Sequence, residues 1–190
     1  MRHLIIYAHP YQNSLNGYLK EILAEHLWNY GHEVVMRDLY QLGFNPILSP
    51  EDLDGQRQGQ VAEDVKREQE FILWADCLTF IHPIWWTGLP AILKGYIDRV
   101  FSYGFAYRYD QGVQKGLLTG KQVLIINTHG KSKPEYGASG MDQALSLTSD
   151  MGIYTYCGLE IVKHFFFDKA DHPSNEMVEH WTGQLKELFF

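Results

Sequence analysis

The chain has 190 residues, 45% of them hydrophobic, which is enough for one domain with a sizeable core and too apolar for a disordered segment. Its formal net charge of −7 argues against a nucleic-acid partner and against insertion into or binding to an anionic membrane. The only cysteines, Cys77 and Cys157, stand far apart in apolar contexts and read as free thiols in a reducing compartment; with no signal-peptide pattern and no apolar run near the ~20 residues of a membrane span, the expected location is the cytoplasm.

Residues 4–8 are a continuous apolar run, as in a strand covered on both faces. A loop, 9–13, leads to Ser14, a good N-cap for a helix with Leu15, Leu19, Ile22, Leu23 and Leu27 on one face, stopped by Gly31. Residues 33–38 form a second, less apolar strand. The stretch 41–60, with Pro46, Pro50, Gly55 and Gly59, is a long excursion, and Val61, Val65, Phe71 and Ile72 mark a second helix. A third strand at 77–81 precedes a third helix, 90–101. Strand four is 122–128, a helix covers 138–150, strand five is 160–167, and a closing helix takes 175–188. No repeat or linker interrupts this order, so residues 1–190 are a single α/β domain with a parallel, doubly wound sheet. Such sheets bind ligands outside the carboxyl ends of their strands.

Three loops follow strand ends there. The first lacks GxGxxG and GxxxxGK[ST], but places His9 ahead of Asn13-Ser14-Leu15-Asn16 at a helix start, where free N–H groups and the dipole suit a phosphate. Plain capping by Ser14 accounts for the same residues. The second loop carries Trp85 and Trp86 side by side, with backbone amides at Trp85, Trp86 and Thr87 and a permissive Gly88. Either the tryptophans pack on the following helix, or they cover a flat heteroaromatic ligand. The third, 127–137, is polar and long enough to cover a ligand edge; its Tyr136 can donate a hydroxyl to a charge-developing atom or pack against its own turn. Together the loops suggest a nucleotide with a planar ring, such as a flavin. No two of the nine histidines fall at i+2, i+3 or i+4, and HExxH is missing, so no metal site is expected. GxSxG is missing too.

Longer motifs carry a family resemblance. Ala8-His9 with Ser14-Leu15-Asn16, then Asp38-Leu39-Tyr40 and Phe44-Asn45-Pro46, and above all the run Pro83-Ile84-Trp85-Trp86-Thr87-Gly88-Leu89-Pro90-Ala91-Ile92-Leu93-Lys94-Gly95 with Arg99-Val100-Phe101 and Gly104-Phe105-Ala106-Tyr107, resemble the NAD(P)H:quinone oxidoreductases with a flavodoxin-like fold, in particular their short bacterial members. The likeness extends from Leu4 to about Glu160. It implies a five-stranded sheet in the order 2-1-3-4-5 and a flavin, FAD by the likeness of Phe44-Asn45-Pro46 and FMN as the alternative. The flavin's phosphate would lie on His9, Ser14, Leu15 and Asn16. Its ring would rest on Pro83, Ile84, Trp85, Trp86 and Thr87, with the Trp86 side chain beside it and Thr128, His129 and Gly130 along the other edge.

By the same resemblance Tyr136 assists hydride transfer, although the histidine that relatives place shortly after this tyrosine is missing: Gly140 and Met141 stand there. Homodimers are implied, with Tyr107 and Tyr109 reaching across to the partner's substrate. The implied reaction is ping-pong: NAD(P)H reduces the flavin by hydride transfer, leaves, and a quinone takes the two electrons. An ancillary flavoprotein that regulates a potassium-efflux channel and a flavodoxin-type electron carrier are the alternatives; Lys131 and Lys133 in the third loop favour a nicotinamide nucleotide over carrier docking.

Overall fold

In the computed structural model, which describes residues 1–189, five parallel strands form one sheet. Strand β1 (Arg2–Tyr7) lies between β2 (Glu33–Asp38) and β3 (Cys77–Pro83). β6 (Gln122–Thr128) follows β3, and β7 (Glu160–Phe167) closes the edge, giving the order β2-β1-β3-β6-β7. This is the expected order of the sheet strands. The numbers shift because a hairpin intervenes, β4 (Tyr107–Asp110) with β5 (Val113–Gly116), paired antiparallel and separate from the sheet. Its two-residue turn puts Gln111 at φ 51° and Gly112 at φ 82°, the left-handed pair that matches the twist of a hairpin.

All seven residues of β3 are buried, as befits the central strand. Alternation along each strand divides the core in two. Leu4, Ile6, Phe80, Val123 and Ile125 face α3 (Glu63–Trp74) and α4 (Ala91–Val100), with Leu93, Tyr96, Val100 and Tyr154 among them. Ile5, Tyr7, Ile81, Leu124 and Ile126 face α1 (Leu15–Asn29) and α7 (Asn175–Lys186), which contribute Leu19, Leu23, Leu27, Trp181 and Leu185. The excursion is not all loop: Ser49 and Asp52 form a capping box that starts α2 (Pro50–Arg57). Buried Arg99 on α4 then ties this segment down, reaching Asp52 at 2.9 Å and Asp64 at 2.5 Å.

The helix expected at 138–150 is divided differently. Ser132 and Glu135 make a second capping box with Pro134 in the first turn, so α5 (Lys133–Ser139) begins inside the segment expected to be loop. Gly140, at φ 72°, ends it. α6 (Met141–Ser146) follows and widens into a π-helix, Leu147–Thr155. Tyr136 therefore stands on a short helix.

Candidate active site at the carboxyl ends of the strands

The local chemistry at the end of β1 sets the first wall. Ser14 Oγ accepts from Gly17 N–H at 3.1 Å and contacts Tyr7 Oη at 3.0 Å. The helix itself leaves the N–H groups of Leu15 and Asn16 unpaired. Gly17 permits the loop to fold back: a Cβ there would meet the Gln12 carbonyl oxygen at 2.1 Å. The Tyr11 amide donates to His9 Nδ1 at 3.1 Å, and the Tyr11 carbonyl already accepts from Tyr7 Oη and the Ser14 amide. His9 Nδ1 also lies 3.1 Å from that carbonyl oxygen; the tautomer that accepts the Tyr11 N–H carries its proton on Nε2, where it is a donor free for a ligand. Partial burial lowers the His9 pKa, keeping the ring neutral.

At the end of β3 the chain turns in two residues. Trp85 and Gly88 exchange backbone hydrogen bonds of 3.2 and 3.1 Å, and Trp86 and Thr87 between them stand at φ 50° and 56°. Both carry side chains in a conformation that favours glycine. The turn leaves Trp86 98% exposed and Trp85 41% exposed, with the Trp85 ring 5.8 Å from that of His9. Ile84 N–H donates to the Thr128 carbonyl at 2.8 Å, joining this rim to the end of β6. There, buried Asn16 donates from Nδ2 to Thr128 Oγ1 at 2.8 Å. The Tyr136 ring lies flat on His129, centroids 4.4 Å apart and planes 4° from parallel.

These elements enclose a pocket of about 180 Å³ lined by His9, Ser14, Leu15, Asn16, Pro83, Ile84, Trp85, Thr128, His129 and Gly130, with Ala170 and Asp171 from the loop after β7. Ten of the twelve expected cofactor residues thus share one cavity. Trp86 and Thr87 lie outside it: Trp86 extends into solvent, and Thr87 lines a neighbouring apolar cavity of about 430 Å³ with Leu89, Leu145 and Ile153. Tyr136 stands behind His129. Tyr107 and Tyr109 are on the hairpin, where Tyr109 Oη meets Tyr156 Oη at 3.0 Å. Ala170 and Asp171 escaped the sequence reading because it considered three strand-end loops, although the loop after the last strand ends on the same side of the sheet. The close approach that brings Asp171 in shows at Gly130, where a Cβ would meet Asp171 Oδ2 at 2.2 Å.

Two buried polar atoms with no partner, Asn16 Oδ1 and His129 Nδ1, sit on residues that line this pocket. Groups of this kind are costly unless a ligand or water meets them. With the α1 amides and His9 Nε2–H, they fit the phosphate and polar ring edge of a flavin. Among the described residues no group of three or more His, Cys, Asp or Glu is placed to hold a metal ion, and no helix is long and apolar enough to cross a membrane. Burial pushes the Cys77 and Cys157 thiols up to about 12 and leaves both unreactive.

Known proteins are similar to this chain in sequence and fold. A family model described as flavodoxin-like fold matches residues 1–188. The chain is 43% identical to an uncharacterized NAD(P)H oxidoreductase of Haemophilus influenzae, over 96% of this chain and 94% of that one. With NAD(P)H dehydrogenase (quinone) 1 of Rattus norvegicus it shares 32% identity over 98% of this chain and 76% of the other. The solved NAD(P)H:quinone oxidoreductase of Methanothermobacter marburgensis superposes with a TM-score of 0.87 at 27% identity, covering 98% and 95% of the two chains. The chain belongs to the flavodoxin-like fold family, alongside the NAD(P)H:quinone oxidoreductases.

Proposed function

We propose that this protein is a cytoplasmic, homodimeric, flavin-dependent NAD(P)H:quinone oxidoreductase that uses FAD and works by a ping-pong mechanism. The observation that carries the reading is the pocket where the Ser14 helix start, the Pro83–Trp85 rim and the Thr128–Gly130 edge converge around two unpartnered atoms, Asn16 Oδ1 and His129 Nδ1. A bound flavin would take a hydride from NAD(P)H and hand two electrons to a quinone that occupies the same face in turn. The residues of the chain do the rest. His9 Nε2–H and the amides of Leu15 and Asn16 bind the phosphate. Pro83, Ile84 and Trp85 support one side of the ring, and the backbone of Thr128, His129 and Gly130 offers donors where negative charge develops. Stacking holds Tyr136 against His129, aimed by a rigid partner rather than by a mobile loop.

The homodimer would cover an apolar surface that includes Trp85, Trp86, Tyr103, Tyr109, Leu147 and Met151, all exposed in the single chain. It would also bring Tyr107 and Tyr109 to the partner's substrate. The deciding experiment is the mass of the flavin released on denaturing the purified protein, followed by anaerobic reduction with NADH or NADPH and reoxidation by a quinone. Release of no flavin, and no uptake of added FAD or FMN, would end this reading; sedimentation as a fully active monomer would end its dimeric part.

A further inference from the structure

Behind the rim, four polar side chains form one row through the interior, crossing three strands to the π-helix. His82 and Asn127 are 2% and 4% exposed, and the side chains of His164 and Asp150 are 6% and 18% exposed. His82 Nδ1 lies 2.9 Å from the Pro83 carbonyl oxygen, and its Nε2 2.9 Å from Asn127 Nδ2. Asn127 Oδ1 is 2.7 Å from His164 Nε2, and His164 Nδ1 is 2.7 Å from Asp150 Oδ1.

Donor and acceptor chemistry places the protons along this row. A carbonyl only accepts, so the His82 proton is on Nδ1. Complete burial lowers the His82 pKa to about 4, so its Nε2 is bare at neutral pH and accepts from Asn127 Nδ2. The same Nδ2 points at the His82 carbonyl, 3.4 Å away, which fixes the amide orientation. Asn127 Oδ1 therefore faces His164, and His164 Nε2 must donate to it. The other nitrogen of His164 faces a carboxylate oxygen that already accepts from Ser149 Oγ at 2.9 Å. Two neutral imidazoles leave no proton for this last contact, so the row holds one more.

We propose that His164 is a fixed imidazolium, paired with Asp150, that acts through Asn127 and His82 as a positioning residue for the pocket rim and sets a positive charge behind it. Each link adjoins a rim residue in sequence: His82 precedes Pro83, whose carbonyl it holds, and Asn127 precedes Thr128, which accepts from Ile84. The groups facing His164 are Asp150 and Ser149 from the π-helix, Asn127 from β6, and the Phe166 ring of its own strand, stacked at 3.9 Å. His82 follows on β3. Lys94 of α4 lines the cavity beside His82 and Asn127, but its ammonium is taken by Asp98 at 2.5 Å. A buried cation needs a partner of this kind to persist. The pair is neutral overall, but His164 stands on its rim side, next to Asn127, so its positive end faces the rim and favours the reduced, more negative form of a flavin ring over the oxidised form.

The consequence for the ring rests on the proposed function; the protonation of the row does not, and the two are tested separately. Long-range ¹H–¹⁵N spectra of the histidine rings in the full chain at pH 7, with His164 assigned by its loss in His164→Gln, should show both His164 nitrogens protonated. His82 should show a single proton at Nδ1. Asp150→Asn should convert His164 to a one-proton ring, and Asp150→Glu should restore it. A wild-type His164 with one bare nitrogen at pH 7 would overturn the proposal, and needs no variant to be seen. In the flavin-loaded protein, His164→Gln should lower the affinity for reduced over oxidised flavin about tenfold, a fall of about 30 mV in two-electron midpoint potential. Asp150→Asn should lower it by less. A two-proton ring with an unchanged midpoint in both variants would overturn the charge's role. A wild type that takes no flavin would strike at the proposed function alone, and the spectra would still decide the row.

Discussion

At the amino ends of the sheet strands, polar groups satisfy one another. Arg2 donates to Asp76 from Nη2 at 2.7 Å and from its backbone N–H at 2.9 Å, Lys121 donates to the Leu73 and Ala75 carbonyls, and His3 Nε2 meets His32 Nδ1 at 2.8 Å. At the carboxyl ends the opposite holds. Asn16 Oδ1 and His129 Nδ1 lack partners, two side-chain-bearing residues occupy a left-handed turn, and an indole stands almost wholly in solvent. His3 Nδ1 is the exception at the closed end. One end of the sheet serves stability, while the other keeps strain and unmet hydrogen bonds for a ligand. If that division is right, perturbations at the amino end should change folding and spare binding, and those at the carboxyl end should mostly do the reverse.

Acid should give the largest effect, and it acts on both ends. Burial, with His32 as the next contributor, holds His3 at about 4; burial holds His82 at about 4 as well. Both folded values lie below the ordinary 6.5, so the unfolded chain binds more protons between those limits. The share of stability held by these two histidines is therefore complete above pH 6.5 and lost as pH falls toward 4, at up to about 1.4 kcal/mol per pH unit for each. Urea titrations from pH 7.5 to 4.5 should show this slope, and His3→Asn should halve it without altering flavin affinity. A slope unmoved by that substitution would place the acid sensitivity elsewhere.

Ser14→Asp tests the open end. Aspartate is as good a helix cap as serine, so Gly17 N–H keeps an acceptor and the unfolding free energy in urea titration should change by no more than about 0.5 kcal/mol. Its charge, however, would face the phosphate. Flavin affinity should fall about a hundredfold, or about 2.7 kcal/mol, in a fluorescence titration. Equal affinity in the variant would remove Ser14 from the binding site.

Tyr136→Phe should have a smaller effect, confined to one step. The ring remains stacked on His129 and flavin affinity stays as it was, but the hydroxyl donor is gone. Stopped-flow flavin reduction by NAD(P)H should slow about tenfold, or about 1.4 kcal/mol of barrier. Identical rates would leave Tyr136 as packing for His129.

The sheet and the pocket were readable in the sequence to different degrees, for physical reasons. Apolar runs such as residues 77–81 announce buried parallel strands, and Ser14 announces a helix start, because both are local and low in energy. The first and second strand-end loops could be assigned to one site because the doubly wound topology dictates where strand ends go. Asp171 could not, since only the close approach of the β7 loop to Gly130 brings it into the pocket. The row from His82 to Asp150 was equally hidden: its members are 14 to 45 residues apart from link to link and share no spacing rule. Gly140 could have been read as the break between α5 and α6, but the π-helix after it depends on tertiary contacts.

The Trp86-Thr87 turn gives the finest test of the division. A two-residue hairpin turn of this hand favours Asn-Gly, and each of the present residues at positive φ costs about 1 kcal/mol. Trp86, at 98% exposure, recovers nothing through burial in the single chain. Trp86→Asn with Thr87→Gly should therefore raise stability by about 1–2 kcal/mol in urea denaturation of the monomer. If the strain is kept for function, the same variant should bind flavin more weakly or dimerise more weakly, because the indole that contacts ring or partner has been removed. Sedimentation and flavin titration distinguish those outcomes. A variant that gains no stability would show that the surrounding rim, not the turn's own residues, dictates the backbone there. One that gains stability and loses neither activity would show that the open end carries strain with no use for it, and the contrast between the two ends of the sheet would fail at its most exposed residue.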